Sequence, residues 1–247
     1  MISKLFFITI CSLASSSVFA QAGVPLLNIS ENPAGGTEYS LTLQVLILMT
    51  VLTLLPSLLI MMTSFVRIII VMSLLRQAIG TAQTPPNIVL IGIALFLTFF
   101  IMSPILQTVY NDAAVPYIEE EISAEEALDV ALLPLRTFML TQTREDDLMI
   151  FSDIGEYEYD GVEENIPLSI LIPSFMTSEL KTAFTIGFLI YIPFVIIDLI
   201  VASVLMSMGM MMLSPMLVAL PFKLLLFVLV DGWSMTVGSL VSTFAAG

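Results

Sequence analysis

Long apolar runs separated by polar stretches organise this chain. A helix needs about 20 apolar residues to cross a bilayer core about 30 Å thick, and each run approaches or exceeds that length. The pattern therefore predicts an all-α, membrane-associated protein with four apolar segments. These segments cover residues 41–75, interrupted by Arg67, and then 88–109, 183–206 and 213–230.

The apolar segments form two pairs with a polar insert between them. We predict a first apolar helix pair at residues 41–110, an acidic helical insert at 111–172 and a second apolar pair at 173–247. Prolines in or beside the runs predict broken helices, which a membrane tolerates only where protein or a water-filled cavity covers the freed backbone. The runs are either simple spans or hairpins packed in an assembly that rises above the bilayer. The prolines are Pro56, Pro104, Pro193, Pro215 and Pro221.

The composition and the first residues agree on a membrane location. Hydrophobic residues make up 58% of the chain and charged residues 11%, and the mean hydropathy is +1.04, outside the soluble globular range. Residues 1–20 combine Lys4, a short apolar stretch and small residues at Val18 and Ala20, which is typical of a cleavable signal peptide. The alternative is an uncleaved membrane helix, although the stretch is short for a span. Residues 21–40 predict an extended periplasmic lead-in.

If the signal is cleaved, no histidine or cysteine remains in the chain. The chain has no histidine, and cleavage would remove Cys11, its one cysteine. Disulfides, Cys/His metal sites and thiol or imidazole catalysis are then excluded. Nucleotide-binding glycine loops and the common hydrolase motifs are also missing from the sequence. We therefore predict a protein that is not an enzyme and needs no cofactor or metal.

The net charge is concentrated in the insert. Sixteen acidic residues and two arginines lie between Asp112 and Glu164, and they account for the whole net charge of −14. Such a block usually forms a solvated surface, and it argues against nucleic acid or anionic lipid as a partner on this face. If the first helix enters from the periplasm, Arg67 and Arg76 fall on the cytoplasmic side, as the positive-inside rule expects, and the insert is periplasmic.

Local signals predict short helices within the insert. Ser123 and Glu126 have the spacing of a capping box. Pro134 predicts the restart of a helix and Thr143 the start of another, while residues 151–166 predict an exposed acidic loop. The insert is therefore expected to be a small helical subdomain.

Six of the sixteen methionines lie between Met206 and Met216, where Gly209 and Pro215 predict a hinge between two apolar helices. Consecutive helical side chains point about 100° apart, so three adjacent methionines cannot all pack into one helix seam. Two interpretations remain: ordinary core packing, or a deformable seal where the bends of several subunits meet. The three consecutive methionines are Met210, Met211 and Met212.

Three charges stand alone in the second apolar pair: Asp198, Lys223 and Asp231. A charge at the centre of a bilayer costs about 3 kcal/mol or more, so such residues face protein, a partner or water. We predict that Asp198 and Lys223 pair, either across the hairpin or between subunits. A proton relay that includes Asp231 is the alternative.

Further charged residues flank the apolar runs. Glu179 and Lys181 are predicted to begin the third long helix, with Thr177 or Ser178 as its cap and Glu179 at the positive end of its dipole. Arg67 is predicted to snorkel to the membrane interface or to meet a partner acid. We treat Glu179, Lys181 and Arg67 as candidates for contacts between subunits.

Several longer motifs resemble the FliP family, and together they cover nearly everything after Tyr39. The motifs are MMTSFVRIIIVMSLLRQAIG at 61–80, PPN at 85–87, ALFLTFFIMSP at 94–104, PSFMTSELKTAFTIGF at 173–188 and LPFKLLLFVLVDGW at 220–233.

The resemblance implies a subunit of the flagellar type III export gate in the bacterial inner membrane. In that family several copies, implied to be five, assemble with FliQ and FliR into a helical ring that works with FlhA and FlhB and conducts unfolded flagellar proteins. The family's methionine loop is thought to act as a gasket, and by position it corresponds to Met210–Met212. Injectisome relatives generally lack a cleavable signal, so residues 1–40 favour the flagellar branch.

The residues alone, without the resemblance, leave other function classes open. One is a small-ion channel or proton-coupled transporter in which Asp198, Lys223 and Asp231 are the working groups. Another is a structural scaffold around which partners build the pore.

Overall fold

The computed structural model describes residues 38–81, 83–157, 166–210 and 212–245. Every regular element in these ranges is helical, and none of them contains a strand. The all-α prediction is therefore confirmed. The described helices are α1 (Glu38–Met61), α2 (Phe65–Ile79), α3 (Asn87–Val109), a π-helical turn (Tyr110–Ala114), α4 (Val115–Ile118), α5 (Ala124–Gln142), α6 (Glu145–Ile154), α7 (Leu168–Ser207), α8 (Pro215–Leu229) and α9 (Gly232–Ala245).

Some sequence predictions fall outside the described residues. These include the signal peptide at 1–20, most of the lead-in and Met211. The predicted acidic loop at 151–166 is wrong in its first four residues, because α6 continues to Ile154, and its residues 158–165 are not described.

The chain divides into two compact units, Met1–Leu54 and Leu55–Gly247. The described part of the first unit is the N-terminal portion of α1, up to Leu54. The second contains the helices from α2 to α9, and it holds all the charged residues discussed below.

Helix α2 is the centre of the second unit. Its apolar side chains at Ile68, Val71, Met72 and Leu75 recur at helical spacing and are fully buried. They pack against α3, α7 and α8. Burying one such side chain contributes about 1.5–3 kcal/mol to the free energy of unfolding, so α2 anchors the apolar helices around it.

A second core cluster joins the insert to the first half of α7. Phe138 and Met139 on α5 pack against Leu171 and Phe175 on α7. The rings of Phe138 and Phe175 meet edge to face with their centroids 6.0 Å apart. The insert is helical, as predicted, and it is held to α7 by aromatic packing.

The capping box predicted at the start of α5 is present. The Ser123 backbone N–H donates to Glu126 Oε2 at 2.9 Å, and the Glu126 N–H donates to Ser123 Oγ at 3.2 Å. The bond from the Ser123 backbone N–H, and after it the interaction of the Ser123 hydroxyl with the carboxylate, hold the pKa of the Glu126 carboxyl below its ordinary value.

The predicted proline breaks are wrong. Each helix continues through its internal proline, and Pro215 opens α8 instead of interrupting a helix. A proline inside a helix removes one hydrogen bond, and these helices tolerate that loss. The prediction that Pro134 restarts a helix is wrong for the same reason. The internal prolines are Pro56 in α1, Pro104 in α3, Pro134 in α5, Pro173 and Pro193 in α7, and Pro221 in α8.

The first apolar run breaks at a position that its prolines do not mark, between Met61 and Phe65. The Thr63 hydroxyl donates to the Ile60 carbonyl at 2.7 Å and accepts from the Phe65 N–H at 3.4 Å. A side chain that bonds nearby backbone groups in this way competes with the helical ladder. It accounts for the end of α1 and the start of α2.

The prediction that Glu179 and Lys181 begin a helix is wrong. Helix α7 begins at Leu168, after Pro167, and both residues lie well inside it. Ser178 does not cap α7. Its hydroxyl instead accepts from the Arg144 backbone N–H at 3.0 Å and donates to Asp147 Oδ2 at 2.7 Å, so it holds the start of α6.

The helices are long and apolar enough to cross a membrane. By length and composition, two could do so: α7, and α3 together with its continuation to Ile118. The pairs α1–α2 and α8–α9 would each add a span if taken as one broken helix. The axes of α8 and α9 are bent by 62° at their junction.

Candidate functional site

The methionine-rich segment forms a sharp bend between α7 and α8. The Gly209 N–H donates to the Met206 carbonyl, and the Met210 N–H donates to the Leu205 carbonyl, both at 3.0 Å. This pair of bonds is a Schellman motif, and it requires the left-handed conformation that Gly209 adopts, with φ of 75°. Pro215 then stands at the first position of α8, where its missing N–H costs nothing. Gly209 and Pro215, predicted as a hinge, therefore define the ends of the bend.

The described methionine side chains of the bend face away from the core of the chain. Met212 is fully exposed, at 102%, and Met210 is 44% exposed. Met206, Met208 and Met216 are exposed as well. Core packing within this chain therefore does not account for these methionines, and they are free to meet lipid, a partner or another copy.

An apolar groove of about 430 Å³ lies between the two helices that lead into the bend. Its lining has no polar surface and includes Val201, Val204, Val218 and Phe222. The arms are therefore not fully packed against each other near the bend.

Lys223 holds the two arms together further from the bend. Its Nζ donates to Asp198 Oδ2 at 2.6 Å, across the hairpin, and to the Ala78 carbonyl of α2 at 3.2 Å. Lys223 is buried, whereas Asp198 is 34% exposed. The buried Oδ1 of Asp198 has no hydrogen-bond partner among the described residues. The structure thus brings Asp198 and Lys223 together within one chain.

Asp231 lies apart from this pair. It occupies the turn between α8 and α9, is exposed, and adopts a left-handed conformation with φ of 51°. No ion pair links it to any other described residue. The three charges predicted as a relay do not form one cluster.

Arg67 lies in a second charged cluster, at the start of α2. Its Nε donates to Glu179 Oε2 at 2.9 Å, and a second guanidinium nitrogen donates to Glu179 Oε1. It also donates to Gln142 Oε1 at 3.0 Å and to Thr243 Oγ1 at 3.2 Å. The guanidinium carbon lies 3.9 Å from the ring centroid of Phe244. Arg67 therefore joins α2 to α5, α7 and α9.

The Arg67 cluster bears on the predicted contacts between subunits. Of the two alternatives predicted for Arg67, snorkelling to the interface or pairing with an acid, the structure shows the second. The acid is Glu179 of the same chain. Both side chains are buried inside it. Lys181 is exposed, so it is the one of the three candidates whose side chain is open to another subunit.

Several participants in these clusters were not predicted from the sequence. Gln142, Thr243 and Phe244 carry no local signal, because they acquire their roles through contacts with a residue far away in the chain. The Ala78 carbonyl is a backbone group and leaves no mark in a sequence pattern. Among the described residues, no group of three or more acidic side chains could hold a metal ion.

Comparison with known proteins gives a consistent result. Residues 48–240 match the model of the FliP family. The chain is 54% identical to a flagellar biosynthetic protein FliP of Cereibacter sphaeroides, over 90% of this chain and 73% of that protein. It is 54% identical to the FliP of Pectobacterium carotovorum subsp. carotovorum, over 92% and 88%. It is also 48% identical to the FliP of Aquifex aeolicus, over 96% and 98%.

Proposed function

Because this chain belongs to the FliP family and is a flagellar export component, we propose that it is a pore-forming subunit of the type III export gate. In this proposal it conducts unfolded flagellar proteins across the bacterial inner membrane. The bend at Met210–Met212 acts as a gasket that closes the conduit between substrates. Energy for transport comes from other components, since the sequence has no nucleotide-binding motif.

The observation that carries the proposal is the exposure of the methionines on a defined bend. A Schellman motif and a helix-starting proline define the two ends of the bend, while its side chains remain flexible and apolar. A seal that must close around chains of many shapes needs this combination of a fixed backbone and adaptable side chains. When several copies surround an axis, such bends meet at the centre.

The proposal includes partners and orientation. The subunit forms a homo-oligomer, five copies by family resemblance, with FliQ and FliR, and it works with FlhA and FlhB. The acidic insert faces the periplasm and the methionine bend the cytoplasm, an orientation supported by Arg76 in the last turn of α2. The exposed apolar faces of α3 and α7 contact lipid or neighbouring subunits.

The test is membrane ion leakage with Met210, Met211 and Met212 all replaced by alanine. The variant is expressed with the partner subunits in a cell, and leakage is scored beside motility and complex assembly. We expect an assembled complex that leaks ions, because alanine is too short to close the axis. The matched control replaces Met149 and Met235 by alanine, since both are exposed methionines away from the bend.

The outcome separates the proposal from the two other classes. Leakage confined to the bend variant supports a gasket. An assembled, tight and motile bend variant would count against it and favour a structural scaffold. A channel run by titrating charges would instead keep its conductance in the bend variant and lose it on replacement of Asp198 or Lys223.

A further inference from the structure

Lys223 does more than neutralise Asp198. Its ammonium also donates to the Ala78 carbonyl, in the last turn of α2. The last carbonyls of a helix have no hydrogen-bond donor within it and carry partial negative charge. A buried cation there supplies the donor and balances the charge. One side chain of α8 thus binds the opposite arm of the bend, α7, and the C-terminal end of α2.

The end of α2 packs directly on α8 at this point. Gly80 ends the helix in the left-handed conformation, with φ of 89° and its N–H donated to the Gln77 carbonyl. A methyl group at Gly80 would lie 3.8 Å from Leu220 Cδ1 and 3.9 Å from Lys223 Nζ. The space between Gly80 and the Lys223 ammonium is therefore only about large enough for one methyl group.

The loop that follows α2 is fastened to the same helix end. Arg76 donates from one guanidinium nitrogen to the Pro85 carbonyl at 3.2 Å and to Asn87 Oδ1 at 2.5 Å. These bonds bring the start of α3 back to the last turn of α2. A displacement of the 80–87 loop would therefore reach the Ala78 carbonyl, and with it Lys223.

The bend is close to this junction along both arms. Asp198 precedes the end of α7 at Ser207 by about 14 Å, and Lys223 follows the start of α8 by about 12 Å, at 1.5 Å per residue. Between the junction and the bend, the apolar groove leaves the arms loosely packed. The spacing and angle of the two arms at the bend therefore depend strongly on the junction.

We propose that Lys223 is a positioning residue that couples the 80–87 loop to the methionine bend through the end of α2. A partner that binds or releases this loop then shifts the bend and alters its seal. The inference rests on the proposed gasket, but it concerns the position of the bend, which is measurable whether or not the bend seals a pore.

The decisive variant removes both charges and keeps the apolar volume: Asp198→Leu with Lys223→Met. If the pair is only structural, this replacement should leave both stability and the alkylation rate at the bend nearly unchanged, because apolar residues can often replace a buried ion pair without loss of stability. Coupling predicts instead that the complex assembles while the bend becomes mobile, since methionine cannot donate to Ala78.

The readout is thiol alkylation of Leu213→Cys, an exposed position in the bend, in a Cys11→Ser background with partner subunits in native membranes. We expect the double variant to react about tenfold faster, the equilibrium factor for losing one charge-assisted hydrogen bond. A matched probe at Met235→Cys on α9 should keep its rate. Equal rates at Leu213→Cys would overturn the proposal.

A second variant covers a failure of the double variant to assemble. Asn87→Ala removes the shorter of the two bonds that hold the loop to Arg76, and it leaves Lys223, Asp198 and the bend unchanged in sequence. Coupling predicts faster alkylation at Leu213→Cys and motility reduced by several-fold, whereas an unchanged rate contradicts it. Failure of the gasket itself appears separately, as a tight membrane in the Met210–Met212 alanine variant.

Discussion

Arg67 and Lys223, the two cations buried among the described residues, lie at opposite ends of α2 and form different contacts. Arg67, at the start, spreads its planar guanidinium over a carboxylate, an amide, a hydroxyl and a ring. Lys223, beside the end, reaches one carboxylate oxygen and one carbonyl, and its acid is one-third exposed. The arginine fork binds in one geometry, whereas an ammonium on a flexible chain can turn between acceptors.

The two ends of α2 therefore hold different sets of helices and hold them with different numbers of bonds. The Arg67 end fixes α2, α5, α7 and α9 as a rigid body next to the insert. The Lys223 end holds the arms of the methionine bend with fewer bonds and one acid oxygen unpaired. We therefore expect the helices to be held more firmly next to the insert than beside the methionine bend.

The largest effect is expected from Arg67→Ala. It leaves the buried Glu179 carboxylate unpaired, and breaking a buried pair in this way costs about 3–5 kcal/mol in the free energy of unfolding. Denaturant titration of the detergent-purified protein measures the loss. Arg76→Ala is the control and should cost far less, because Arg76 is half-buried and its bonds to described residues are to Pro85 and Asn87. Equal losses would contradict a special role for the Arg67 cluster.

A smaller loss of stability is expected when the Asp198–Lys223 pair is broken, and the loss should differ according to which partner is removed. Asp198→Ala strands a buried ammonium, while Lys223→Ala leaves a carboxylate that water can reach, so the first should weaken assembly more, by about 2 kcal/mol. Native gels of membrane extracts give the assembled fraction. Exchanging the two residues should restore assembly only in part, because an aspartate at 223 would face the Ala78 carbonyl. Single variants as stable as the unmodified protein would argue against the pair.

The smallest effect is expected at the capping box of α5. The pKa of Glu126 is lowered in the folded chain, so its contribution to stability is present above the unfolded pKa and disappears as the pH falls through the folded pKa. Glu126→Gln should therefore destabilise the start of α5 near neutral pH and match the unmodified protein in acid. Hydrogen exchange of residues 124–127, compared between the two proteins at each pH, follows the effect. A difference that does not depend on pH would exclude the carboxylate as its source.

Sequence patterns anticipated the local features of this protein. The capping box, the methionine bend and the helical insert depend on residues a few positions apart, and such signals are readable without a fold. The pairing of Asp198 with Lys223 was also foreseen, because two lone charges in apolar helices need partners.

Long-range contacts were beyond such reasoning. Arg67 and Glu179 are 112 residues apart, and their partnership follows only from the packing of α2 on α7. The same packing lets α7 continue past Ser178, which looked like a cap but instead holds the start of α6. The break at Thr63 carries no distinctive sequence signal, because serines and threonines elsewhere also bond the preceding turn inside unbroken helices.

The length of α7 has a consequence for how the protein sits in its membrane. Its 40 residues extend roughly 60 Å, about twice the thickness of a hydrocarbon core. Even a tilt of about 40° would leave much of it outside the lipid tails. The length of the helix therefore cannot by itself set its depth. Lipids with shorter or longer acyl chains should move the lipid–water boundary along α7 without straining the helix. Contacts with neighbouring subunits would then determine the depth of the protein in the membrane.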